Sequence, residues 1–184
     1  SPGEVAQAAD AILLCLPNEN AQLEVFEGES GLLQNLRAGT ILLEMGTYSR
    51  EFKLAQAARV VAQGGLVLEA EVSGSPPMVA QRTAALYIGG TAELLEECRP
   101  LLNAITAQYA HLGDYGSAVA MKLIANYLLT IHTLAAAEAI NLGARAGLDP
   151  QLVADVIKLG AGNSAMFTIR APLMASRNFS PALG

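Results

Sequence analysis

Lys122 and Asn126 stand four residues apart in the stretch Asp114–Tyr115–Gly116–Ser117–Ala118–Val119–Ala120–Met121–Lys122–Leu123–Ile124–Ala125–Asn126. The stretch reads as a strand end, a glycine-containing turn and the start of a long apolar helix. At i and i+4 the two side chains share one helix face. A lysine there can protonate an alkoxide as it forms from a carbonyl receiving hydride, and burial among apolar neighbours would bring its pKa down toward working pH. Asparagine adds a neutral donor and acceptor that can orient a substrate. The other reading of Lys122 is a stem that snorkels at a helix end. Before this pair the chain alternates strands with helices, and after it only helices follow. A seam between two architectures is a favoured place for a site.

The elements that must position the pair follow from punctuation and periodicity. Ala11 to Leu16 is a continuous apolar run stopped by Pro17, the pattern of a strand buried on both faces of a parallel sheet. Helices are expected from Asn18 and over Gly31 to Leu36. Thr40 to Met45 reads as the next strand. Ser49 is placed to cap a helix running to Ala62, with Leu54, Ala57, Ala58 and Val61 on one face. Further strands are expected over Leu66 to Val72, Ala85 to Ile88 and Gln108 to Gly113, with a helix from Ala92 to Ala104. This alternation predicts an α/β fold: a partial Rossmann-type parallel sheet, then a long helix and an all-α domain. Ligands of such sheets bind at the carboxyl ends of the strands. Three small polar loops lie there: Leu16–Pro17–Asn18, Gly46–Thr47–Tyr48 and Ser73–Gly74–Ser75. Ser–Gly in the last lets backbone N–H groups approach a carboxylate closely.

From Ser117 to about Gly147 a helix of about 45 Å is expected. It is apolar nearly all round and so calls for partners on several sides. Lys122, Asn126, His132 and Glu138 interrupt it too often for a lipid-exposed span, so it is read as buried in protein. Asp149–Pro150 then opens another helix, with Asp149 as cap, and Ser164 to Ala175 reads as the last.

Composition bounds the function. Hydrophobic residues make up 52% of the 184, enough for a core. Net charge is −6 with only 11 basic residues, which argues against a broad nucleic-acid surface. Cys15 and Cys98 lack ligand-like spacing and are read as reduced, packed thiols of a cytoplasmic protein. His111 and His132 have no metal-like partners, so no metal site is expected. Tyr48 and Tyr127 are read as core filling. Asn163–Ser164 suits either a pocket lining or a helix cap. Ser73 has no His/Asp order that would make a hydrolase triad. No G-x-G-x-x-G occurs, and the first strand reads as interior although nothing precedes it that could pair with it. The expectation is that the amino-terminal half of a nucleotide-binding domain lies outside this chain, or that another chain covers that edge. The carboxyl end likewise reads as unfinished.

With these residues laid out, the chain resembles the β-hydroxyacid dehydrogenase family from end to end. Ala9–Asp10 to Leu16–Pro17 is similar to that family's fourth Rossmann strand, and Glu44–Met45–Gly46–Thr47 to its strand-and-threonine motif. Glu69–Ala70–Glu71–Val72–Ser73–Gly74–Ser75 is similar to its substrate loop. Gly116, Lys122 and Asn126 keep the spacing of its catalytic helix, and Gly147–Leu148–Asp149–Pro150 matches a turn in its helical domain. The resemblance implies an NAD- or NADP-dependent oxidoreductase of small β-hydroxy acids or their semialdehydes. Lys122 would be the catalytic lysine, Asn126 a substrate hydrogen-bonder, and Ser73, Gly74 and Ser75 the loop gripping the substrate carboxylate. Leu16, Pro17 and Thr47 would touch the dinucleotide. Residues 1–114 would be the later part of a dinucleotide-binding domain, and 115–184 the start of a helical substrate and dimerisation domain, giving a homodimer or higher homo-oligomer. The choice of NAD or NADP rests on residues absent from this chain.

The chain departs from the family pattern in four places. Glu69 and Glu71 stand where Asp and Pro are usual, Gly46 replaces Ser, and Ala125 replaces Asn or His. In a strand Glu69, Glu71 and Ser73 point to one side, so a Glu71 facing the pocket would repel an acidic substrate. The competing reading is a non-catalytic dimerising module that keeps the fold but lacks the cofactor-phosphate site.

Overall fold

The apolar runs form five strands: β1 (Ala11–Leu14), β2 (Ile41–Glu44), β3 (Leu66–Ser73), β4 (Ala85–Gly89) and β5 (Tyr109–His111). In the computed structural model, which describes residues 1–180, they make one sheet in the order β1-β2-β3-β4-β5. β1, β2 and β3 are parallel, as are β4 and β5, but β4 runs antiparallel to β3 from Glu69↔Gly89 to Ser73↔Ala85. The link between β3 and β4 carries only the short helix α4 (Pro76–Ala80). It is too short for a crossover, so the chain turns back on itself.

Helices α1 (Pro2–Ala8), α2 (Glu19–Glu27), α3 (Arg50–Ala62) and α5 (Ala92–Ile105) complete the strand–helix part. Alternation along the strands sends Ile41, Leu43, Leu68, Ala70, Leu86 and Ile88 to the face covered by Leu95, Cys98 and Leu102 of α5. Ile12, Leu14 and Leu42 point the other way, toward Phe26 of α2 and Val60 of α3. The same alternation drives Glu44, Glu69 and Glu71 into the α3 side.

Three sequence expectations change here. β1 is covered on one side only: Ile12 and Leu14 are buried while Leu13 is 49% exposed, because β1 forms the sheet edge and little packs on its other face. Cys15, expected to be packed, is exposed beside it, whereas Cys98 is buried. On α3 the buried face is Lys53, Gln56 and Val60; Val61, assigned to the buried face, is 60% exposed. The helix is rotated so that its one deep cation meets the carboxylates of the sheet.

The chain divides into two compact units, Ser1–Leu123 and Ile124–Gly184. Helix α6 (Ser117–Arg145) begins in the first and supplies the second, where α7 (Pro150–Ile157) and α8 (Ala165–Ala175) pack on it. The core of that unit is Ala136, Ile140, Val153, Ala154, Phe167 and Ala171. Asp149 caps α7 through the Leu152 N–H at 2.9 Å, and Ser164 caps α8 through the Phe167 N–H at 3.0 Å. Ser49, by contrast, does not cap α3; its hydroxyl donates to Glu19. The expectation that α6 is buried is not met within this chain. Ile124, Leu134 and Leu142 are largely exposed, and Tyr127 is 64% exposed rather than core filling. By length and composition alone α6 is sufficient to cross a membrane. Among the described residues, α6 is covered at its start and at Ala136, Ile140 and Gly143, the last against Val153, and most of its apolar surface is open.

Leu43→Ala, at the centre of the α5-facing core, should cost about 2–5 kcal/mol in urea denaturation. Leu142→Ala, on the open side of α6, should change stability by less than about 0.5 kcal/mol.

Candidate active site

Lys53 has no solvent exposure, and neither do Glu69 and Glu71. Its ammonium lies 2.5 Å from Glu71 Oε1, 3.1 Å from Glu69 Oε1 and 2.8 Å from the carbonyl of Gly46, to which it donates. The Glu69 Oε1 contact is an ion pair outside hydrogen-bonding geometry. Glu69 Oε2 accepts from the N–H groups of Gly116 (2.9 Å) and Ala118 (3.0 Å), so this carboxylate sits on the amino-terminal turn of α6. Negative charge there meets the positive end of the helix dipole. Glu71 Oε2 accepts from the Thr47 hydroxyl at 2.6 Å. One ammonium thus joins the loop after β2, the end of β3 and the start of α6.

Glu44 is the third carboxyl of the cluster, paired in register with Glu69 and accepting from Gly46 N–H at 2.8 Å. Burial pushes its pKa up, against that N–H, the Lys53 charge and Gln22. Burial raises Glu71 as well, held back by the Lys53 charge and the Thr47 hydroxyl. Both Glu71 oxygens accept from donors, the pattern of an ionised carboxylate. Tyr115, enclosed beside the three carboxyls, is held in its neutral phenol form by burial first and by those charges second.

Lys122 stands on the first turns of α6, half-buried, with Nζ donating to the carbonyl of Val72 at 2.5 Å. Burial draws its pKa down, and the Glu71 charge opposes this. Val72 precedes Ser73, whose hydroxyl accepts from Tyr87 at 3.2 Å. Lys122 and the Ser73–Gly74 turn are therefore brought together at the carboxyl end of β3. A Cβ on Gly74 would lie 2.8 Å from the Cβ of Ala84, so packing of the tight β3–β4 return also requires this glycine. Ser75 is exposed at the start of α4, where its side chain makes no cap bond.

At the ends of β1 and β2, the Tyr48 hydroxyl donates to the Leu16 carbonyl at 2.9 Å and ties the two loops together. A Cβ on Gly46 would lie 2.2 Å from that phenol oxygen, so the Tyr48 ring as placed requires glycine there. Pro17 and Thr47 are exposed on these loops. Both loops lie at the carboxyl ends of adjacent parallel strands, where ligands of such sheets bind. The glycine-rich turn that would take a pyrophosphate is not in this sequence.

Asn126 lies four residues beyond Lys122 on α6, in the second unit. In that unit His132, Asn163 and Ser164 line a cavity of about 390 Å³ with Ala135, Ile157 and Phe167, so Ser164 serves as both cap and lining. His111 Nε2 pairs with the Gly90 carbonyl at 2.7 Å. No cluster of metal-ligating side chains occurs among the described residues. Sequence reasoning missed Lys53. The signal was present: Glu44, Glu69 and Glu71 fall on one side of adjacent strands, and the helix between those strands begins with a lysine three residues in.

Residues 1–113 match the family model for the NAD binding domain of 6-phosphogluconate dehydrogenase. Residues 116–183 match the model described as NAD-binding of NADP-dependent 3-hydroxyisobutyrate dehydrogenase. Mitochondrial 3-hydroxyisobutyrate dehydrogenase of Mus musculus is 31% identical over 162 residues, covering 88% of this chain and 48% of the mouse protein. L-threonate dehydrogenase of Cupriavidus necator is 32% identical over 182 residues, covering 98% of this chain and 61% of its own length. The chain thus spans about half to three-fifths of these relatives. The solved structure of Mycobacterium tuberculosis 3-hydroxyisobutyrate dehydrogenase with L-serine superposes with a TM-score of 0.88 at 27% identity, over 100% of this chain and 64% of that one.

Because folding raises the Glu44 pKa, the native chain holds a proton that the unfolded chain gives up at lower pH. The contribution of this group is therefore greatest below the ordinary carboxylate range and is lost as pH rises through the raised value. Glu44→Gln keeps the shape without the charge. Its melting temperature should fall less than that of the unmodified chain between about pH 5 and 8; parallel slopes would contradict the assignment.

Proposed function

Since the chain belongs to the β-hydroxyacid dehydrogenase family, we propose that it carries the substrate side of an NAD(P)-dependent oxidoreductase of small β-hydroxy acids or their semialdehydes, with Lys122 as general acid/base. Residues 1–114 are the later part of the dinucleotide-binding domain in this reading, and 115–184 the beginning of the helical domain. The observation that carries it is the Lys122 ammonium, half-buried and aimed at the Val72 carbonyl immediately before Ser73–Gly74. A substrate carboxylate received by Ser73, Gly74 and Ser75 lies within reach of that amine, and Asn126 orients the reacting oxygen.

Bound NAD or NADP supplies or accepts the hydride at the substrate carbon. In the reducing direction Lys122 gives one proton from Nζ to the carbonyl oxygen as hydride arrives, leaving a neutral amine and a hydroxyl; oxidation returns both. Burial draws the Lys122 pKa below its ordinary value, which eases passage between the two states. Leu16, Pro17 and Thr47 line the cofactor side, and Thr47 is fixed there by its bond to Glu71. The printed names of the mouse and Cupriavidus relatives, a 3-hydroxyisobutyrate and an L-threonate dehydrogenase, support a small hydroxy acid as substrate. The open apolar side of α6 supports a homodimer or higher oligomer built on that helix.

Lys122→Ala, made in the enzyme with its whole cofactor site, should lower turnover by roughly 10²–10⁴-fold while dinucleotide affinity by calorimetry stays within about twofold. Turnover equal to that of the unmodified enzyme would refute the role.

A further inference from the structure

The Lys53–Glu71 pair lies outside the groups that touch substrate or cofactor in the proposed reaction, yet its bonds reach both sides of it. Lys53 holds the Gly46 carbonyl, and Glu71 holds the Thr47 hydroxyl, so the pair fixes the cofactor-side loop. Glu71 is followed by Val72, whose carbonyl takes the Lys122 ammonium, so the same pair fixes the ledge on which Lys122 rests. Lys53 also faces Glu69, which receives the first N–H groups of α6. Full burial of all three side chains leaves no water to replace any of them.

We propose that Lys53 and Glu71 are positioning residues for Lys122: the buried pair locks the Gly46–Thr47 loop against the end of β3 and so sets the Val72 carbonyl on which the Lys122 ammonium rests. This rests on the assignment of Lys122 as the acid/base. It also gives Glu71 a role other than repelling an acidic substrate, because its charge is spent inward on Lys53 and Thr47. The titratable groups surrounding this arrangement are Glu44 from β2, Glu69 and Glu71 from β3, Lys53 from α3, Tyr48 from the loop before α3, and Tyr115 before α6. Glu71 is the charge that acts on Lys122 against the effect of burial. Losing it, or losing the ammonium that keeps it ionised, leaves burial unopposed.

The test is an NMR titration of the Lys122 ε-methylene in the ¹³C-lysine-labelled chain, which reads its protonation without turnover. In Glu71→Gln the Lys122 midpoint should fall by about one pH unit. The paired variant Lys53→Met with Glu71→Met removes one charge of each sign, leaves Glu69 held by the Gly116 and Ala118 N–H groups, and should shift the midpoint in the same direction. Lys53→Arg, which keeps the cation, should titrate as the unmodified chain does. A Lys122 midpoint unmoved in whichever of Glu71→Gln or the paired variant folds would overturn the proposal. Loss of turnover in Lys122→Ala bears on the acid/base assignment alone, and the titration bears on the coupling alone, so the two can fail separately.

Discussion

An ammonium without solvent, set between two carboxylates of one strand, ties together three parts of the strand–helix unit. Lys53 cannot leave its place without stranding Glu69 and Glu71 in an apolar interior, and breaking such a pair typically costs about 3–5 kcal/mol. A pair of this kind adds little net stability over a well-packed apolar core. What it adds is a fixed relation among parts. The loop after β2, the end of β3 and the start of α6 each contribute an atom to the same charged cluster. Those are the three places from which the proposed cofactor contact, the substrate ledge and Lys122 arise.

The unusual residues of the chain make sense as a connected set. Glutamates at 69 and 71 bring two charges into the sheet interior, and α3 answers by turning Lys53 inward and leaving Val61 outside. Gly46 makes room for the Tyr48 ring, and Tyr48 in turn holds the Leu16 carbonyl. Gly74 lets β4 return beside β3 and at the same time leaves open backbone at the end of the substrate loop. Each change is local in sequence, and each alters how a strand end is presented.

Strand number, the long helix and the helical tail were legible because apolar runs, glycine turns and the Asp149–Pro150 stop are local signals. Lys122, Ser73 and their nearness were legible too, since strand ends and a lysine at the first turns of a helix are features of sequence order. The reversal of β4 was not, because it depends on the shortness of the 74–84 link rather than on any residue within the strands. The rotation of α3 was hidden by its alanines, which offer a plausible apolar face at Leu54, Ala57, Ala58 and Val61. Only the need of three buried carboxyls for a cation selects the other face. What covers α6 was not legible, because composition reports what a helix can bury, not what lies against it.

The central claim is that one buried ammonium holds three elements in register, and native-state amide hydrogen exchange in Lys53→Met tests it most directly. The N–H groups of Gly116 and Ala118, which bond Glu69, and that of Gly46, which bonds Glu44, should lose protection together, while those of Leu86 and Leu112, in the β4–β5 pairing, keep theirs. Unchanged protection at Gly46, Gly116 and Ala118 in a folded Lys53→Met chain would contradict it.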